Sequence, residues 1–346
     1  MTSSMKILVT GGAGYIGSHA CVAAIEAGYE PVVLDNLVNG SASSVERIAE
    51  ISGYRPALEI GDINDRAFLD RIFGDYQFAA VIHMAGLKAV GESCEQPLEY
   101  YRNNISGAIN LLLAMEQHQL GVLIFSSSAT VYGDATQMPI VEEAARSATN
   151  PYGMSKLMIE YMLEDQVKAD ELTNRRLWNI ACLRYFNPVG AHPSGLIGEN
   201  PRGTPDNLTP YIARVAASQL EEVCVFGDDY PTPDGTGVRD YIHVMDLVEG
   251  HVSALNYLLK RKSGFDAWNL GTGKGSSVLE MITAFKSACS KPIPYRIGPR
   301  RPGDIAECWA NPAKAQRDLG WQARRGLAEM VEDAWRWQVK STEGLK

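Results

Sequence analysis

Tyr152 and Lys156 stand four residues apart in the run Tyr152-Gly153-Met154-Ser155-Lys156. On a helix that spacing puts a phenol and an ammonium on one face. A free tyrosine gives up its proton only near pH ~10, too high for a base at neutral pH. A neighbouring ammonium favours the phenolate, and a phenolate serves as a general base. Ser126, Ser127 and Ser128 close an apolar run. A hydroxyl at such a strand end can hold a substrate hydroxyl, while serines capping a turn account for two of the three. Near the start, Gly11-Gly12-Ala13-Gly14-Tyr15-Ile16-Gly17 satisfies G-x-G-x-x-G through Gly12, Gly14 and Gly17. Such glycines permit a tight turn and close approach of the backbone to a pyrophosphate. The anion then sits on the free N–H groups that open the next helix. Asp35 ends the next apolar run. A carboxylate there accepts from a ribose 2′-hydroxyl and repels a 2′-phosphate, which points to NAD and not NADP. Asp62 ends the third run, placed either to touch adenine or to cap a turn.

These groups need a scaffold. Apolar runs at 6–10, 31–35, 57–60, 79–84, 122–126 and 179–185 read as strands, and helical periodicity covers 19–27, 100–117 and 155–166. Strands alternating with helices predict a parallel sheet covered on both faces, and right-handed crossovers make it doubly wound. The expected fold is α/β: a Rossmann-type sheet followed by a smaller mixed α/β C-terminal part. The periodic texture ends after Phe186. Residues 187–207 hold four Pro and four Gly, and 227–237 is rich in Asp, Pro and Gly. Loops this long in a compact chain are more often functional than idle. An amphipathic helix at 327–339 closes the last third. The expected division is a cofactor domain over 1–186 and a substrate domain over 187–346, with segments near 240–272 returning to the first.

The 346 residues carry 32 Lys+Arg against 41 Asp+Glu, a net charge of -9. Such a chain has no electrostatic reason to coat nucleic acid or an anionic membrane. A phosphate ligand must instead meet a few aimed basic groups or backbone donors. No apolar run reaches a membrane span. The opening residues lack the apolar region of a secretory signal, so a cytoplasmic protein is expected. The six cysteines, Cys21, Cys94, Cys182, Cys224, Cys289 and Cys308, are scattered without a C-x-x-C, and no H-E-x-x-H occurs. Reduced core cysteines and no metal site are expected.

Together TGGAGYIG, Asp35, SSSATVYG and YGMSK resemble the extended short-chain dehydrogenase/reductase family. HMAGLKAVGES, PLEYYRNN, LRYFNPVGAHPSG, FGDDYPTPDGTGVRDYIHVMDL and RRPGD narrow the resemblance to its nucleotide-sugar 4-epimerase branch, over about residues 6–340. The resemblance implies a tightly held NAD and reversible inversion at C4 of a UDP-hexose through a 4-keto sugar and enzyme-bound NADH. It implies that Tyr152 takes the proton of the sugar 4-hydroxyl, helped by Ser128. Lys156 would hold the nicotinamide ribose and bias Tyr152 toward phenolate. Cofactor positions carried over are Gly11, Gly14, Tyr15, Ile16, Gly17, Asp35, Asn36, Asn39, Asp62, Ile63, Met84, Lys88, Asn103, Ser126, Tyr152, Lys156 and Tyr185. Substrate positions are Lys88, Ser128, Tyr152, Phe186, Asn187, Asn207, Leu208, Phe226, Arg239, Arg301, Asp304 and Cys308, with Arg239 and Arg301 clamping the diphosphate. For Arg301 a solvated loop charge stays open as the plainer reading. A homodimer is implied, through helices near 100–117 and 155–166.

One departure stands out. Cys308 occupies a position where many bacterial members carry tyrosine, and a smaller side chain leaves room for an N-acetyl group at sugar C2. UDP-GlcNAc and UDP-GalNAc are therefore expected as additional substrates; drift to a buried cysteine is the plain alternative. Among rivals, a nucleotide-sugar 4,6-dehydratase needs an Asp-Glu pair just after the strand-five serine, and here Ala129-Thr130-Val131-Tyr132 follows Ser128. A uronate epimerase must meet a C5 carboxylate, and the NPVGAHPSG match argues against it. A non-enzymatic NAD sensor typically lacks the tyrosine–lysine pair.

Overall fold

The protein is described here from a computed structural model covering residues 4–301 and 304–343. Six strands alternate with helices through the first half: β1 (Lys6–Thr10), β2 (Glu30–Asp35), β3 (Ala57–Ile60), β4 (Phe78–His83), β5 (Val122–Ser128) and β6 (Asn179–Tyr185). Short strands follow: β7 (Asn187–Val189), β8 (Val223–Phe226), β9 (Val238–Arg239) and β10 (Tyr241–His243). β11 (Gly264–Leu270), β12 (Ser276–Ser277), β13 (Tyr295–Gly298) and β14 (Glu307–Cys308) complete the set. The helices are α1 (Tyr15–Glu26), α2 (Ser43–Ser52), α3 (Arg66–Asp75), α4 (Val90–Glu95), α5 (Pro97–Tyr100) and α6 (Gly107–Gln117). Later come α7 (Pro151–Thr173), α8 (Leu208–Ala216), α9 (Val244–Leu258), α10 (Val278–Cys289), α11 (Ala313–Leu319) and α12 (Leu327–Glu343).

The main sheet has seven strands in the order β11-β6-β5-β4-β1-β2-β3, every neighbour parallel. Strand side chains alternate between faces, and the sequence uses both. Ile7, Val9, Val33, Ile82, Ile124, Ala181 and Leu183 enter one buried cluster. Leu8, Leu34, Val81, Leu123, Phe125, Ile180 and Cys182 enter the other. That is why these segments read as unbroken apolar runs. The seventh strand, β11, comes from 264–270 and pairs along the whole of β6. A third core, built on α8, α10 and α12 with Val223 and Val225 of β8, lies outside the main sheet.

Several boundaries differ from the sequence expectations. The first helix begins at Tyr15, not 19, because Gly14 and Gly17 weaken the local helical pattern yet must sit at the helix start. The segment expected as one helix over 100–117 is interrupted by a π-helical turn, Tyr101–Ser106, before α6. β5 runs on through Ser128. α7 begins at Pro151, whose fixed φ suits a first helical position, and the Asn150 side chain accepts from the Gly153 N–H at 2.8 Å. Tyr152 thus sits in a capped first turn, and the Asn-Pro pair was the signal for it.

Asn150→Ala should lower stability by about 1 kcal/mol, the usual worth of an N-cap. The expected result is a lower urea midpoint with an unchanged m-value; an unmoved midpoint would show that Pro151 alone fixes the turn.

Candidate active site

Strand order reverses between β1 and β4, so their outgoing chains part and leave a crevice at the carboxyl ends. That is where open α/β sheets bind ligands. Thr10 Oγ1 closes its floor, accepting from the N–H groups of Met84 and Ala85 at 3.2 Å each and bonding His83 Nδ1 at 2.8 Å. Above it lies the glycine turn. Gly11 has φ +71, and a Cβ there would fall 2.8 Å from the Ala85 nitrogen. A Cβ on Gly17 would stand 2.1 Å from the Gly11 carbonyl oxygen. Gly14 N-caps α1 and offers no side-chain acceptor, which leaves the first-turn N–H groups free for an anion. Asp35 is buried at the end of β2, with Oδ2 accepting from Ala13 N–H at 3.0 Å and Oδ1 from Leu37 N–H at 2.8 Å. Burial raises its pKa, opposed by those two donors. The residues present fit a dinucleotide: a turn with no room for a Cβ at Gly11 or Gly17, an open helix N-terminus and an acceptor beyond it.

Among the other positions expected on the cofactor side, Asp62 accepts from Asn36 Nδ2 at 3.0 Å and from the Asn64 N–H at 2.8 Å. Burial works against its charge, but these bonds hold its pKa below the usual carboxylate value. The Tyr15 hydroxyl donates to the Gly190 carbonyl at 2.8 Å. Ile16 and Met84 are half-buried against the core, Ile63 is buried, and Asn36 and Asn39 are exposed. Asn103 lies in the π-helical turn. The Tyr185 hydroxyl is bonded to His251 of α9.

α7 supplies the reactive pair. Burial pushes the Tyr152 pKa up; a hydrogen bond from Ser128 and the charge of Lys88 pull it down without overcoming burial. Lys156 is buried, donates to the Ser126 carbonyl at 2.8 Å and stands 4.9 Å from the Phe125 ring centroid. Burial brings its pKa down to about 8. Its ammonium also meets the β5 backbone, and Lys88 is a second cation that favours the Tyr152 phenolate.

Two residues at this site escaped the sequence reading. Glu199 Oε1 accepts from Lys88 Nζ at 3.0 Å and from Asn207 Nδ2 at 2.9 Å. One carboxylate therefore joins a cofactor-side lysine to a residue expected at the nucleotide. Nothing in its local sequence marks it, since it lies in the aperiodic stretch after Phe186. Asn104 is the other. Its Oδ1 accepts from Leu87 N–H at 2.8 Å, and its Nδ2 donates to Ser155 Oγ at 3.0 Å. It spans from the loop bearing Lys88 to the first turn of α7. The π-turn that aims it is a feature often found at functional sites.

The substrate-side positions form a second group. Arg239 donates to the Val238 carbonyl at 2.9 Å, and Cys308 is its partner across the β9–β14 ladder. Cys308 packs with Phe186 and Met154, which brings it to the same wall as α7. Arg301 pairs with Asp304 at 3.1 Å and lies 4.7 Å above the Phe226 ring. Asn187 is exposed at the start of β7, and Asn207 N-caps α8, whose first residue is Leu208. Among the described residues no group of three His, Cys, Asp or Glu could hold a metal ion, and no helix is long and apolar enough to cross a membrane.

Fold and constellation define a member of the extended short-chain dehydrogenase/reductase class. The GDP-mannose 4,6 dehydratase family profile matches residues 8–334, although a 3-10 turn without a carboxylate, Ala129–Tyr132, follows Ser128 here. The UDP-glucose 4-epimerase of Bacillus subtilis (strain 168) is 56% identical over 342 residues, 99% of each chain. A UDP-glucose 4-epimerase structure from Stenotrophomonas maltophila, with NAD and formylated UDP-arabinopyranose bound, superposes with TM-score 0.94 at 51% identity over 98% of this chain and 99% of that one. One from Bifidobacterium longum, in complex with NAD+ and UDP, gives TM-score 0.94 at 49% identity over 99% and 100%. The chain belongs to the UDP-glucose 4-epimerase family.

Burial raises the pKa of the Cys308 thiol to about 11, against the opposing charge of Arg239, while Cys94 is exposed. Because the thiolate is the nucleophile, a maleimide or iodoacetamide at pH ~8 should label Cys94 and spare Cys308, whose rate should climb as pH rises toward 11. Peptide mass mapping of the pH series reads both.

Proposed function

We propose that this chain interconverts UDP-galactose and UDP-glucose by inverting C4 of the sugar. The observation that carries the reading is Tyr152, in the capped first turn of α7, meeting Ser128 beside the glycine crevice. NAD bound in that crevice supplies a reversible hydride acceptor and, when oxidised, a positive charge. What the chain itself does follows from its groups. Ser128 Oγ also accepts from Thr130 Oγ1 at 2.9 Å, which frees its own proton for an oxygen on Tyr152 or the sugar. Tyr152 as phenolate removes the 4-hydroxyl proton and later returns it, so no proton leaves the site. Burial holds the phenol protonated and Lys88 opposes this, as the positive charge of an oxidised nicotinamide would. Asn207, Arg239 and Arg301 hold the nucleotide diphosphate. Held at that end only, the 4-keto sugar can turn and present its other face.

The division into a cofactor domain over 1–186 and a substrate domain over 187–346 is part of this reading, with α9 and β11 packed into the first. Two finer statements belong to it. Cys308, half-buried beside Arg239, leaves space where a bulkier residue would close on the sugar C2 substituent, so UDP-GlcNAc and UDP-GalNAc are also substrates. The chain works as a homodimer joined through α6 and α7, which expose Ile109, Leu113, Met158 and Tyr161 at 41–45%.

Proton NMR of the purified protein with UDP-galactose and no added NAD should show the UDP-glucose anomeric signal growing. Failure with and without added NAD would overturn the reading. Tyr152→Phe should lower kcat by roughly 10²- to 10⁴-fold, the range for loss of a general base, with the same spectra as the assay. Cys308→Tyr should abolish turnover of both N-acetyl sugars and spare UDP-galactose. Undiminished N-acetyl turnover in that variant would remove the proposed role of Cys308.

A further inference from the structure

A buried polar network lies between α7 and the ends of β5 and β6 and is absorbed by none of the chemistry above. Glu160 and Arg184 are both essentially without solvent exposure. Arg184 donates from Nε to Glu160 Oε1 at 3.0 Å and from Nη2 to Oε2 at 2.8 Å, a bidentate fork. Ser127 Oγ donates to the same Oε1 at 2.6 Å. Arg146 Nη1 adds a bond to Oε2 at 3.0 Å. The remaining Arg184 nitrogen donates to the Tyr132 hydroxyl at 2.7 Å and to the Glu142 carbonyl at 2.9 Å.

The placement of these residues in sequence matters more than their number. Tyr152, Lys156 and Glu160 recur every fourth residue along one face of α7. Two of them bond the β5 serine triplet directly: Lys156 meets the Ser126 carbonyl and Glu160 the Ser127 hydroxyl. Tyr152, one turn earlier, stands at the level of Ser128, which favours its phenolate. Strand alternation sends Ser127 to the face opposite Ser126 and Ser128, and likewise sends Arg184 opposite Tyr185. Both inner neighbours of site residues therefore converge on one carboxylate.

We propose that Ser127, Glu160 and Arg184 are positioning residues that fix the height of α7 against the ends of β5 and β6, and thereby the approach of Tyr152 to Ser128. Polar groups buried this fully would not be expected merely for stability, since a paired buried ion couple contributes little beyond an apolar equivalent. A side-chain network with two anchor strands gives direction, which apolar packing does not. A displacement of about 1 Å at a reacting pair costs up to ~10²-fold in rate.

The inference rests on Tyr152 acting as the base, and Ser127→Ala tests it. That change deletes one bond and leaves the ion pair intact, so the fold persists. The expected kcat for UDP-galactose falls about tenfold or more with KM within about twofold, and the deuterium isotope effect for substrate labelled at C4 rises as chemistry becomes slower. Ser127→Thr, which restores the hydroxyl, recovers most of the rate. The ionisation midpoint of Tyr152, read as phenolate absorbance against Tyr152→Phe, moves up in Ser127→Ala because the Ser128 hydroxyl no longer meets the phenolate. The other charged or titratable groups bearing on that phenol are Lys88 from the loop after β4, Tyr185 from β6 and Lys156 one turn on, and Ser127→Ala alters none of them. An unchanged kcat overturns the inference. So does a kcat loss that tracks the unfolded fraction while isotope effect and midpoint stay fixed. Absence of turnover in the wild type would count against the epimerase reading alone, since the Tyr152 midpoint needs no sugar and still decides between the two outcomes.

Discussion

The reversal of strand order between β1 and β4 is the constraint from which the site follows. Two neighbouring parallel strands whose chains leave in opposite directions cannot both cover their own ends. The gap they leave is floored by Thr10 and roofed by a turn in which only glycine fits, because the backbone of Gly11 and Gly17 already touches its neighbours. Every other functional group is brought in by an element that ends on that same edge: Ser128 by β5, Tyr185 by β6, Tyr152 and Lys156 by the start of α7. Asn207 caps α8 of the second, smaller core, while Arg239 and Cys308 face each other across the β9–β14 ladder.

Electrostatics within the crevice are set mainly by dehydration. Burial raises the Tyr152 phenol and lowers the Lys156 ammonium, so each is held nearer its neutral form than in water. Two groups that disfavour their own charges are poised to respond to a charge that arrives. That division suits chemistry in which the same proton leaves and comes back. A chain with net charge -9 must meet a diphosphate locally, and the open N–H groups at the start of α1 are donors of that kind.

Much of the fold was legible because its strands are buried on both faces and its helices are periodic. The six strands of the first half were visible as apolar runs, and the glycine turn, Asp35 and the Tyr152–Lys156 spacing declared their chemistry locally. What stayed hidden was relational. The return of a segment near 240–272 to the first sheet was expected, but the pairing of β11 along the whole of β6 was not, since strand pairing is not written in local pattern. The π-turn over Tyr101–Ser106 is invisible to a 3.6-residue periodicity, and with it the reach of Asn104. Glu199 lies in a stretch with no period at all. Helical spacing put Tyr152 and Lys156 on one face of α7, but the bond from Lys156 to the Ser126 carbonyl is something spacing cannot show.

The two sides of the cleft differ in how freely they can change over evolutionary time. Ser127, Glu160 and Arg184 satisfy one another in the dry interior, so alteration of any one strands a buried polar group, and the three are tied to a common fate. Cys308 sits at the end of a two-residue strand, held there by its backbone carbonyl, which accepts from the Asp240 N–H at 2.9 Å, and not by its side chain. Sequence drift can therefore change Cys308 in a single step, while Ser127, Glu160 and Arg184 can change only together. Under the role proposed for Cys308, a lineage can widen or narrow its diet of nucleotide sugars without first loosening the elements that place Tyr152.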